Sequence, residues 1–288
     1  MEHGMKEYVN GIVWGEGLRW HDGNLYFSDI YGQTVYRATE NKKEIVIKLG
    51  DMPSGLGFLQ DGSMLIVSGG QRKILRLQED AAHVYADFSD DCVGLNDMVV
   101  DAKGHAYIGA YGFEIQHYRG GKAEGWLYHI SPSGKDEKVC EGLMAPNGIA
   151  VTPDGKTLIV ADTFQKALFA FVLDENGTPH GRRLWAKLSS GPDGICLDEE
   201  GCVWAALPNE KKVARIEEGG KILKEISLNE TPLCCGLGGE ARKTLFIVTV
   251  PAHSELSADE LSDFDAQRQK KASRILCTPV GVSGAGAP

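Results

Sequence analysis

The chain has 288 residues, 24% charged and 42% hydrophobic, a globular composition that excludes general disorder. Thirty Lys and Arg against forty Asp and Glu leave a net charge of −10 and no basic stripe, which excludes the footprint of a nucleic-acid binder. Thirty-six glycines without a collagen period point instead to a chain with many turns.

The first twenty residues contain no apolar core of a signal peptide, and no stretch approaches the eighteen apolar residues of a membrane helix. A cytoplasmic protein without membrane partners is expected, with the Asn229-Glu230-Thr231 sequon unused. Seven cysteines, odd in number and without a C-x-x-C, read as reduced thiols.

From Glu16 onward one pattern recurs: a short apolar run, a turn with Asp or Gly, and a second β-rich run. The copies are GLRWHDGNLYFSD from Gly17, GLGFLQDGSMLIVS from Gly55 and DMVVDAKGHAYIGA from Asp97. They continue as GIAVTPDGKTLIVAD from Gly148, GICLDEEGCVWAA from Gly194 and GLGGEARKTLFIVT from Gly236. Gly23, Gly62, Gly104, Gly155, Gly201 and Arg242 mark the successive turns, at steps of 39, 42, 51, 46 and 41 residues. A period of about 44 residues lies in the range of propeller blades. Third runs such as TVYRA (34–38) and ALFAF (167–171), and fourth runs such as EIVIKL (44–49), complete the units. The period-two alternation in NLYFSD and TLIVAD reads as half-buried strand.

These features predict an all-β, six-bladed β-propeller of four-stranded blades around a central channel, one domain over 1–288. The sixth blade runs out of chain near Arg274–Val280. The early segment Glu7–Val13 is expected to supply its fourth strand and close the ring, hiding otherwise open edges.

The residue opening each innermost strand should sit at one mouth of the channel. Counting back eight residues from the turn marker gives Ser54, Asn96, Asn147 and Asp193; counting back seven gives Glu16 and Cys235. Two carboxylates converging in a channel resist joint ionisation, and a divalent cation would cancel their charge while amide oxygens complete its shell. Oxygen donors suit calcium first, with magnesium, manganese or zinc as the other candidates.

Two connections between second and third strands are long and lie on the face of these mouth residues: about 111–125 and about 251–272. Loops of that length are commonly functional. The first brings Phe113, Glu114 and Tyr118, and the second Phe264, as candidate rim contacts. The second also carries a capping-box pattern, Ser257 to Glu260, suited to an exposed helix.

Other chemistry finds no support. The eight histidines are dispersed and read as surface or satisfied core residues, no dinucleotide-binding glycine pattern survives, and no G-x-S-x-G elbow exists. Cys234-Cys235 reads as small pore-lining residues. With no organised nucleophile, metal-assisted hydrolysis remains.

The whole chain from Glu16 in WGEGLRW to Val280 resembles the senescence-marker-protein/gluconolactonase/luciferin-regenerating-enzyme family of six-bladed propellers. The resemblance is carried by LND at Leu95–Asp97, PNGIAVTPDGKTLIVADT and PDGICLDEEGCVWAA. It implies that Glu16, Asn147 and Asp193 hold the metal, that Asn96 faces the substrate, and that Glu114 matches an acidic substrate contact. Members acting on sugar lactones often carry an arginine two residues before the asparagine matching Asn96; here Gly94 stands there, so gluconolactone is expected to be a poor substrate.

The expected activity is therefore divalent-metal-dependent opening of a lactone, a small-molecule substrate, to its hydroxy acid. Asp193 is the candidate general base, and Asp97 would brace the Asn96 loop. Two rival readings are a phosphotriester or other ester hydrolase at the same ion, and a non-catalytic binding propeller whose ion is structural.

Overall fold

The computed structural model describes residues 4–115, 120, 122–251 and 271–286. Among these residues the chain forms six antiparallel sheets of four strands each. Five blades run in chain order through residues 15–48, 53–87, 94–143, 146–187 and 195–227. The sixth combines Thr231–Gly238, Thr244–Val250 and Ser273–Pro279 with the N-terminal strand Lys6–Ile12, which pairs with Ser273–Pro279. Both ends of the chain thus share one blade and the ring is closed.

The apolar core lies between blades. Each of the six buried clusters joins residues of two neighbouring blades: one links Val67 and Phe88 to Leu95 and Ile108, another links Leu18 and Phe27 to Cys234 and Phe246. Middle strands are therefore covered on both faces. Thr157–Asp162 is buried at every residue after the first, so the alternation expected for a half-buried strand is absent there. Its apolar run serves two interfaces, which period-two reading does not capture.

His129 and His105 prove to be satisfied core histidines. His105 Nδ1 lies 2.9 Å from His129 Nε2, and His129 Nδ1 lies 3.2 Å from Glu137 Oε1. Among the described residues no helix is long and apolar enough to cross a membrane. Tyr118, Phe264 and the capping-box pattern fall outside the described residues.

Candidate active site

In most blades the innermost strand bends by one residue near its start, with a register shift between Pro146 and Ile149 in blade four and between Pro53 and Leu56 in blade two. The bend aims the residue after the proline into the channel mouth. A glycine follows it for a steric reason: a Cβ on Gly148 would stand 2.4 Å from the Ile195 nitrogen, and one on Gly194 2.3 Å from Cys234 Cβ. Without these side chains, neighbouring blades approach closely enough to be stitched by hydrogen bonds. Gly148 N–H donates to the Asp193 carbonyl at 3.3 Å, and Gly194 N–H donates to the Leu233 carbonyl at 2.9 Å. Ser54 Oγ donates to the Asn96 carbonyl at 2.7 Å, and Asn96 Nδ2 donates to the Pro146 carbonyl at 3.3 Å.

The mouth opens into a cavity of about 490 Å³ whose lining includes Glu16, Ser54, Asn96, Asn147, Asp193 and Leu233. Five of the six positions expected from the turn spacing are there. The sixth is Leu233, not Cys235. Cys235 is buried between blades five and six, with its Sγ 4.0 Å from Cys196 Sγ and 3.4 Å from the Trp204 carbonyl. Its neighbour Cys234 is buried in the core between blades six and one, with Leu18 and Phe246. Glu114 and Phe113 from the first long connection line the same cavity.

Electrostatics concentrate on two carboxyls. Burial pushes Glu16 well above the usual carboxylate range, with Asp193 and Asp97 adding repulsion. Burial also pushes Asp193 up to about 7, opposed by a hydrogen bond from the Asn147 amide. Asp97 has a different fate: Arg19 holds it in a buried ion pair at 2.9 Å, and its carboxylate also accepts from Met98 N–H at 2.8 Å. The pair ties the blade-three strand that carries Asn96 to blade one.

Two further carboxylates position the site without touching it. Asp162 accepts from the backbone N–H groups of Met144 and Ala145 at 2.7 and 3.2 Å, just ahead of Asn147. Asp29 does the same for Val13 and Trp14, just ahead of Glu16. Both close the strings NLYFSD and TLIVAD, and this shared terminal Asp was the signal available in the sequence.

The donor set fits a hard divalent cation. Glu16 and Asp193 are two half-buried carboxyls that resist ionising together, and Arg19 is already committed to Asp97. Asn147 donates through its nitrogen to Thr163 Oγ1 at 3.3 Å, which leaves its amide oxygen for a cation. Among the described residues no three His, Cys, Asp or Glu side chains form a ligand cluster by themselves, so an amide oxygen is needed in the shell.

Fold and site together define a six-bladed β-propeller with an oxygen-rich, acidic cavity at one channel mouth. Residues 14–251 match the SMP-30/Gluconolactonase/LRE-like region, and the chain belongs to that family. It is 29% identical over 275 residues to a 6-deoxy-6-sulfogluconolactonase of Pseudomonas putida, covering 92% of this chain and 89% of that protein. It is 27% identical over 283 residues to regucalcin of Xenopus laevis, covering 94% and 92%. A solved luciferin-regenerating enzyme superposes with a TM-score of 0.82 at 20% identity over 98% of both chains, a likeness of fold.

Proposed function

We propose that the protein is a divalent-cation-dependent hydrolase that opens a lactone to its hydroxy acid. The observation that carries this reading is the convergence of Glu16, Asn147 and Asp193 on one cavity, two of them carboxyls that burial keeps from ionising freely. Membership of the family, and similarity along nearly the whole chain to a sulfogluconolactonase, support lactones as the substrate class.

Glu16, Asn147 and Asp193 would hold the cation, calcium before magnesium, manganese or zinc because every donor is a hard oxygen. When bound, it supplies the positive charge that lets both carboxylates ionise and that favours an oxyanion at the substrate carbonyl. Asp193 then takes a proton from the attacking water, a role that needs a carboxylate within hydrogen-bond reach. Asn96, held through its nitrogen on Pro146, orients the substrate, and Glu114 at the rim contacts its hydroxyls. Tyr111, whose hydroxyl is tied to the Pro146 carbonyl at 3.1 Å, forms part of the wall that excludes water.

A panel of lactones, with aryl esters and phosphotriesters as comparators, tests the reading. Turnover of at least one lactone should vanish with a chelator and return with added cation while circular dichroism stays constant. Absence of lactone turnover with every cation tried would refute it.

Gly94 makes the specificity testable in a second way. A Cβ at this position would stand 3.4 Å from Tyr111 Cδ2, an ordinary contact, so a side chain can be accommodated. Wild-type protein is expected to turn over gluconolactone poorly relative to a less hydroxylated lactone. Gly94→Arg should raise kcat/KM for gluconolactone about ten- to hundredfold, the worth of a charge-assisted hydrogen bond of roughly 1.5–3 kcal/mol. Side-by-side kinetics in which gluconolactone is already the better substrate would contradict the assignment.

A further inference from the structure

The connection between second and third strands makes one turn in four blades, ending on a residue in the left-handed region: Gln33 (φ 54), Arg72 (φ 56), Lys166 (φ 49) and Lys211 (φ 48). Each donates its N–H to the carbonyl three residues back, at 3.2, 3.3, 3.3 and 3.1 Å respectively. The four positions are equivalent, yet of these four side chains Arg72 alone lines the 490 Å³ cavity.

Its turn explains why. Blade two carries Gly69-Gly70 where blade one carries Ile30-Tyr31 and blade four Thr163-Phe164. A Cβ on Gly70 would stand 2.2 Å from an Asp51 carboxylate oxygen, so this position stays bare. A Cβ on Gly69 would lie 3.6 Å from the Leu95 carbonyl, so the bare turn adjoins the segment Gly94-Leu95, which has no side chain at 94 either. At Gly69, Gly70 and Gly94 the cavity wall is backbone, and Arg72 belongs to its lining.

Among the described residues that guanidinium is engaged by neutral acceptors, the Ser89 carbonyl at 3.2 Å and the Gly70 carbonyl at 3.5 Å. No carboxylate of the described residues lies within ion-pair distance of it. The other charged residues described in the lining are Glu16, Glu114 and Asp193, all acidic. A partly buried guanidinium with donors to spare, and no counter-charge among the described residues, is a planar receptor for an oxyanion.

We propose that Arg72 is a specificity-determining residue that binds an anionic substituent, a carboxylate, sulfonate or phosphate, carried by the substrate away from its ester carbon. The inference rests on the hydrolase reading for the kind of substrate that bears the anion; anion binding beside Arg72 can be measured without it.

The test uses a matched lactone set, alike except for a terminal hydroxymethyl, carboxylate, sulfonate or phosphate, assayed with saturating cation. Wild-type protein should favour an anionic member, and the preferred tail identifies the oxyanion. Arg72→Gln, a side chain the equivalent turn already carries at Gln33, should lower the anionic-to-neutral ratio of kcat/KM about ten- to hundredfold, mostly through KM. Arg72→Lys should keep part of the preference, and Lys166→Gln, outside the cavity, should keep all of it. A wild-type preference for the neutral lactone, or an unchanged ratio in Arg72→Gln, overturns the proposal. Calorimetric titration of the ring-opened hydroxy acids with the same tails gives a readout without turnover. Tighter binding of an anionic tail by wild type than by Arg72→Gln supports the site even if no lactone is opened, in which event the hydrolase reading fails alone; equal binding by both overturns the site.

Discussion

Asp193→Asn at saturating cation should retain about 10²- to 10⁴-fold less lactonase activity than wild type, the usual worth of a general base. The substitution keeps the shape and one oxygen, but removes the charge and the proton acceptor. Asn147→Asp keeps an oxygen and adds charge, so it should hold cation as tightly or more tightly and retain an intact base. The comparison separates two jobs placed on Asp193 from the one placed on Asn147. A cation titration followed by kinetics on both variants decides it. If excess cation restores Asp193→Asn to the wild-type rate, Asp193 is a ligand alone and another group takes the proton. If neither variant changes cation affinity, the site lies elsewhere.

The blades and most of the mouth were legible because the turn marker and the innermost strand keep a nearly fixed spacing. Glu16, Ser54, Asn96, Asn147 and Asp193 all follow from it. The count misplaces the sixth position because blade six has no turn glycine at Arg242; it inserts the short 3-10 turn Glu240–Arg242, with Ala241 and Arg242 both in the left-handed region. Counting from Arg242 therefore lands on Cys235, two residues beyond Leu233. Other features depend on contacts that no single strand reveals. Asp29 and Asp162 act on backbone N–H groups of the segments entering a blade, and Arg19 reaches across from blade one to Asp97 in blade three. Arg72 was illegible for a different reason: its access comes from side chains that Gly69 and Gly70 lack.

The metal-free protein should carry a pH-dependent penalty that the cation removes. Asp193 moves from an ordinary value near 3.8 in the unfolded chain to about 7 in the fold, because burial disfavours its charge. The folded state therefore holds a proton that the unfolded state releases, and stability falls as pH rises from about 4 to about 7. Below that window both states are protonated and the penalty is absent; above it the penalty is complete, about 4 kcal/mol. Glu16 shifts in the same direction and adds to the slope. In chelator, Asp193→Asn lacks the Asp193 share, so at pH 8 it should be more stable than wild type by up to about 4 kcal/mol. Near pH 4 the two should converge. Excess divalent cation should stabilise wild type at pH 8 by mass action and far less at pH 4, where protons compete for the carboxyls. Urea unfolding of both proteins across this range, with and without cation, measures each arm. A wild type whose stability rises from pH 4 to 8 relative to Asp193→Asn in chelator would mean that the Asp193 carboxylate is stabilised by the fold unaided, and that the cavity has no need of a cation.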